Sequence, residues 1–166
     1  LKCGVSSSTI NKVWADTVYV HPYARCSSFS EKTLSKISLP CYSQTKMDGL
    51  YLDIIIDNGV VEYRSRQGSY LPFNRNDVDS MLVDNAHGFV LQGEALLSDG
   101  NGGFLSREEG NGSLNSDDFD ISQLVFVCWD IIPVSDFHNH KTNTRYEDRF
   151  DQLSTLITEM NSGSVQ

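Results

Sequence analysis

A chain of 166 residues can build one domain with a real core and is too short for two ordinary ones. Hydrophobic residues make up 39%, which excludes a disordered chain, and no apolar run approaches the roughly 18 residues of a membrane span. The formal net charge of −9 is unevenly placed. Residues 1–46 carry six Lys/Arg against two Asp/Glu, a balance of +4, whereas 47–166 carry seven against twenty, a balance of −13. On its own such a chain should bind a polyanion weakly, because phosphate contacts dominate nucleic-acid affinity.

The chain opens on Leu1 rather than Met, which reads as a cut or processed fragment, and no charged-then-apolar leader suggests secretion. Cysteines at 3, 26, 41 and 128 form no Cys-x-x-Cys pair, so reduced, mostly buried thiols are expected rather than a zinc site or a disulfide framework. His138-Asn139-His140 reads as two solvated loop histidines, since further metal ligands are not evident beside them.

In chain order, Ser6-Ser7-Ser8-Thr9 offers helix caps, and Ile10, Val13 and Trp14 give a short helical apolar face. Ser27 to Ser38 is polar and reads as a connector. Leu50–Ile56 and Val60–Arg64 are β-rich runs joined by Asp57-Asn58-Gly59, whose Asn-Gly step tolerates the positive φ of a tight hairpin turn. Residues 76–85 suggest a helix with Val78, Met81 and Leu82 on one face, and Phe89 to Leu97 a strand. Ser98 to Ser116, rich in Gly, Asn and Ser, is expected to be largely loop. Leu124 to Ile132 reads as a strand buried on both sides and ended by Pro133, and Phe150, Leu153, Ile157 and Met160 recur at helical spacing. Hairpin-joined strands with a few separate helices predict an α+β fold of antiparallel β-sheets with flanking helices.

The residues that could carry chemistry begin at Lys46-Met47-Asp48-Gly49, immediately before the first strand of the hairpin. Composition alone produces a Lys-x-Asp-Gly match in roughly a few per cent of chains this size. By itself it equally describes an exposed lysine followed by an Asp-Gly turn. Its weight comes from the order of three segments downstream of it. Ser65-Arg66-Gln67-Gly68 ends the hairpin, Gln92-Gly93-Glu94 lies in the next strand, and Phe126-Val127-Cys128-Trp129-Asp130 in the one after.

This succession resembles the motifs of the covalent nucleotidyltransferase superfamily, which contains ATP-dependent DNA ligases, RNA ligases and mRNA-capping enzymes. It is most similar to the DNA ligases of T-even-type bacteriophages, and the likeness extends beyond the motifs. Leu1-Lys2-Cys3-Gly4-Val5-Ser6 and Ile10-Asn11-Lys12-Val13-Trp14 resemble the junction between that family's DNA-binding and adenylation domains. Tyr63 to Leu71, Ser106-Arg107 with Gly110-Asn111-Gly112, and Trp129-Asp130 with Arg145-Tyr146 and Arg149-Phe150 continue it in collinear order.

The resemblance implies a nucleotidyltransferase (ATP-grasp-like) adenylation domain, incomplete at its C-terminal end. Residues 1–38 would be the end of an upstream DNA-binding region and connector, and 39–166 the N-terminal part of the adenylation domain. It further implies ATP as AMP donor, Mg2+ as cofactor and Lys46 as nucleophile. Gln44, Lys46, Arg66, Glu94, and Trp129 or Phe126 stacked on adenine, would form the nucleotide site, and Glu94 is open to a Mg2+ role. Arg66, Arg107 and Lys12 would contact nicked double-stranded DNA. The implied setting is a monomer without membrane contact in the cytoplasm of a bacterial host, serving DNA replication, repair and recombination.

These residue types suit the chemistry. A lysine amine attacks only when neutral, and burial near cations favours that form. The planar fork of an arginine such as Arg66 matches phosphate. Two departures qualify the match. Tyr51 stands where the family pattern Lys-x-Asp-Gly-x-Arg has arginine, and Gln92 replaces the first residue of Asp-Gly-Glu. The family's later Glu-Gly and paired-Lys motifs and its OB-type domain do not follow before Gln166, so this chain alone is expected not to seal nicks. Two other readings stay open: an RNA ligase or capping-type enzyme, and a non-catalytic nucleotide-binding remnant.

Overall fold

The computed structural model describes residues 4–15, 17–23, 28–114 and 120–160. Of the residues singled out in the sequence, Leu1, Lys2, Cys3 and Cys26 lie outside that set, as do the side chains of Arg107 and Asn111. Two short helices come first, α1 (Ser7–Val13) and α2 (Glu31–Leu34). A serine caps each: the Ser6 side chain accepts from the Thr9 amide, and Ser30 with Thr33 forms a reciprocal capping box. Neither helix buries a residue, so Val13 and Trp14 are exposed, and the expected connector over 27–38 contains a helical turn.

The body is one four-stranded antiparallel sheet in the order β2-β1-β3-β4, made of β1 (Leu50–Asp57), β2 (Val60–Arg64), β3 (Phe89–Leu97) and β4 (Leu124–Pro133). Asn58 and Gly59 both adopt positive φ (50° and 74°), giving the two-residue turn anticipated from the Asn-Gly step. Alternation along β1 sends Leu52, Ile54 and Ile56 to one face, where they pack with Leu91, Ala95, Leu97, Leu124 and Phe126. Two helices cover that face. They are α3 (Asn76–Ala86), burying Val78, Leu82 and Ala86, and α6 (Tyr146–Met160), burying Leu153, Leu156 and Met160. The architecture is α+β, as expected.

Three expectations are corrected. The Gly/Asn/Ser-rich stretch holds a helix, α4 (Arg107–Leu114), because Ser106 and Glu109 close a Ser-x-x-Glu box: the Ser106 hydroxyl donates to Glu109 Oε2 at 2.7 Å, and the Ser106 amide to the same oxygen at 3.3 Å. β4 is buried over residues 124–126 and 130–131, whereas Val127, Cys128, Trp129, Ile132 and Pro133 are only partly buried. Cys41 is exposed rather than buried. A short helix, α5 (Val134–His138), also follows β4 and buries Phe137 against the other face of the sheet, beside His21.

Candidate functional site

The face of the sheet opposite α3 and α6 carries a polar centre between apolar side chains such as Val90 and Leu96. Tyr51 and Asp53 of β1 stand beside their register partners Glu94 and Gln92 of β3. Gln92 in turn faces Asp130 of β4. A β-bulge lies between the pairs Gln92–Asp130 and Gly93–Cys128, leaving Trp129 as the additional residue on β4. The bulge turns Trp129 and Asp130 to the same side. The Trp129 ring centre lies 6.1 Å from that of Tyr51, and Asp130 receives both Nε and Nη2 of Arg149, at 2.8 and 2.9 Å. Gly93 is required at this point, because a Cβ there would stand 2.4 Å from the Val127 carbonyl oxygen.

Lys46, Met47, Asp48 and Gly49 form the approach to β1. The Gly49 amide donates to the Glu94 carboxylate, which ties the Lys-x-Asp-Gly segment to β3. Gly49 also admits the close approach of β3, since an added Cβ would lie 2.5 Å from the Ala95 carbonyl oxygen. Lys46 itself is exposed, with its Nζ 3.3 Å from the Met47 carbonyl. Gln44 is exposed too and reaches toward the Tyr146 hydroxyl, which donates to the Trp129 carbonyl at 2.8 Å.

The hub of the polar face is Asp53, which is fully buried. It accepts from the Tyr51 hydroxyl (2.9 Å), Gln92 Nε2 (2.9 Å) and His21 Nε2 (2.8 Å). Burial first, then the charge and hydrogen bond of Asp53, hold the Tyr51 phenol in its protonated form. His21 belongs to the stretch Tyr19–Tyr23, which lies along this face. Gly68 lets it approach the turn after β2, where a Cβ would meet the His21 Cβ at 2.8 Å. Next along this stretch, Tyr23 meets Tyr51 edge-on at 5.1 Å between ring centres, and the Arg66 guanidinium lies 4.3 Å above the Tyr23 ring.

Among the expected site residues, Glu94, Arg66 and Trp129 lie on or beside one face, while Lys46 is exposed on the approach to β1. Phe126 points the other way: it is fully buried, packed on Tyr63 (5.2 Å) and Phe73 (6.2 Å), because it precedes the bulge and takes the core side of β4. Lys12 is exposed in the last turn of α1, and Arg107 begins α4. Cys128 is no candidate nucleophile, since burial of its sulfur pushes the thiol up to about 12. No cluster of three or more His, Cys, Asp or Glu side chains is placed to hold a metal among the described residues. Sequence reasoning does not find His21, Tyr23, Asp53, Gln92 as an amide donor, or the Asp130–Arg149 pair. A charge in the middle of Leu50–Ile56 is the one signal it offers for Asp53.

The fold is that of ligase-type nucleotidyltransferase domains. A solved structure described as Pmar-Lig_Pre is similar over 99% of this chain and 39% of its own, at 21% identity and a TM-score of 0.73. The ATP-dependent DNA ligase from bacteriophage T7, solved with ATP, is similar over 73% of this chain and 45% of its own (17% identity, TM-score 0.54). The ligase domain of LigD from M. tuberculosis is similar over 74% and 38% (24% identity, TM-score 0.52). The chain thus spans less than half the length of each of these structures. No family model and no curated protein matches the sequence.

Proposed function

We propose that this chain is part of the adenylation domain of an ATP-dependent DNA ligase, with Lys46 as the residue that carries AMP. The observation that carries the reading is the bond from the Gly49 amide to Glu94, which joins the two motif segments on one polar face of a ligase-type fold. In the proposed reaction the neutral Lys46 amine attacks the α-phosphorus of ATP. A P–N bond forms as the bond to pyrophosphate breaks, and the amine's surplus proton is released to solvent. AMP then passes to the 5′-phosphate of a nick, and the 3′-hydroxyl displaces it as the strand is sealed.

Within this scheme Glu94 fixes the backbone that presents Lys46, Arg66 offers a charged fork to the nucleotide, and Trp129 rather than Phe126 offers a ring to the base. Mg2+ would serve beside the ATP phosphates, with Glu94 as the side chain open to hold it. Division of the chain near residue 38, contacts of Lys12 and Arg107 with nicked DNA, and a phage origin belong to the same proposal. So do the monomeric state and the bacterial cytoplasm.

A non-catalytic nucleotide-binding module is the second reading, and one observation favours it: Tyr51 stands where the resemblance expects a cation, and its hydroxyl is held by Asp53 and Gln92. An RNA ligase or capping-type enzyme is separated by substrate choice, ATP against GTP and DNA against RNA nicks. Intact-protein mass spectrometry after incubation with ATP and Mg2+ tests the leading reading. An added AMP absent from Lys46→Ala supports it, whereas an adduct that persists in Lys46→Ala removes Lys46 from the role.

A further inference from the structure

The Tyr19–Tyr23 stretch is not explained by the motifs, yet it is fastened to the polar face at several points. At its start Asn11 holds Val18 through both ends of its side chain, donating Nδ2–H to the Val18 carbonyl (2.7 Å) and accepting from the Val18 amide (2.9 Å). At its centre His21 is buried, bonded to Asp53 and to the Tyr19 hydroxyl (3.2 Å), and set edge-on to Phe137 at 5.5 Å. At its end Tyr23 is wedged between Arg66 and Tyr51.

Arg66 is exposed at a turn closed by the Gly68 amide donating to the Ser65 carbonyl at 2.7 Å. The contact its guanidinium makes is with the face of Tyr23. An unrestrained arginine on an exposed turn samples many rotamers and must give them up to bind. Stacking on an aromatic face restricts the guanidinium while leaving its five N–H groups at the rim able to donate.

We infer that Tyr23 is a positioning residue. It holds the Arg66 guanidinium beside the polar face so that its N–H groups meet the anionic part of a nucleotide, and the His21–Asp53 bond fixes Tyr23 in turn. The inference rests on the nucleotide reading of the site and extends that site to a segment upstream of the Lys-x-Asp-Gly motif. The opposite role for the same contact, a plug that withholds Arg66 from the ligand, predicts the reverse effect on affinity.

The test is calorimetric titration of ATP with Mg2+ into the wild-type chain, Tyr23→Phe, Tyr23→Leu, Arg66→Ala and the Tyr23→Leu/Arg66→Ala double variant, with thermal melting of each. Cation–π stacking of this kind predicts that Tyr23→Leu weakens ATP binding about 3- to 30-fold, while Tyr23→Phe, which keeps the ring, stays near wild type. In the Arg66→Ala background the Tyr23→Leu loss should vanish, because there is no guanidinium left to position. A role confined to packing would lower the melting temperature and leave the loss undiminished in that background, which overturns the inference. Tighter ATP binding by Tyr23→Leu overturns it in favour of the plug. ATP binding that falls in Arg66→Ala but ignores Tyr23→Leu overturns the inference and spares the nucleotide reading. No ATP binding by the wild-type chain removes both.

Discussion

Phe126 and Trp129 lie three residues apart on β4 and end on opposite faces of the sheet. Strict alternation would have carried Asp130 to the core side with Phe126 and Cys128. The bulge at Trp129 resets the count, so that Ile131 returns to the core while Trp129, Asp130 and Ile132 face the other way. One face is then a close-packed apolar layer under α3 and α6, where shape and volume decide. The other is a network of named partners, and no buried side-chain nitrogen or oxygen lacks a hydrogen bond among the described residues. The same four strands supply both: a core that needs only the right bulk, and a site that needs particular atoms.

That contrast can be broken most forcefully at β4 itself. Phe126→Ala should cost about 3–5 kcal/mol by opening a cavity among Tyr63, Phe73 and the strands, whatever its effect on ligands. Trp129→Ala should cost roughly 1 kcal/mol, since the ring is half-exposed, yet weaken ATP binding. Urea unfolding and ATP titration of both variants give the check. Equal losses of stability would mean that the two faces do not differ as described.

Asp53 tests the polar face on its own terms. Asp53→Ala removes the acceptor shared by His21, Tyr51 and Gln92, and should cost about 3 kcal/mol, the lower end for breaking a buried pair, because Gln92 Nε2 and the Tyr51 hydroxyl keep each other at 3.0 Å. Denaturant unfolding measures the loss, and protease cleavage within 19–23 should accelerate in step as the segment is released. A loss well under 1 kcal/mol, with unchanged proteolysis, would show that the segment is held by something other than His21.

Much of the apolar face was legible in the sequence. The hairpin with its Asn-Gly turn, β3 over Phe89–Leu97, and the buried Val78, Leu82, Leu153 and Met160 all follow from period and turn chemistry, which are local. Helix α4 was obscured because Gly110 and Gly112 signal loop, although the Ser106–Glu109 box was there to be read. The polar face was legible only in its chain order. That Asp130 joins Trp129 on this face depends on the bulge in how β3 and β4 pair, a long-range fact. His21 and Asp53 are 32 residues apart, and nothing local to either predicts that one completes the other.

The smallest expected effect lies on α3, the helix that covers the apolar face, and it sets the scale for charges outside the buried network. The Arg75 guanidinium donates to both oxygens of Asp77, at 3.0 and 2.8 Å, and also to the Leu124 carbonyl at 2.9 Å, which pins α3 to β4. Hydrogen bonding to Arg75 is the main cause that brings the Asp77 carboxyl down to about 2, well below its free value of ~3.9. A depressed carboxyl contributes stability that is fully present above the unfolded value and is lost as pH falls through the folded one. The window is therefore about pH 4 to 2. Because 67% of the Asp77 side chain is exposed, solvent screening keeps the contribution under ~1 kcal/mol. Asp77→Asn, which leaves Arg75 on its carbonyls, should be slightly less stable than wild type at pH 6 and equal to it near pH 2, as followed by urea unfolding across the range. A gap that persists at pH 2 would place the effect in helix packing rather than in the ion pair, and would make the helical cover of the core as dependent on particular atoms as the face opposite.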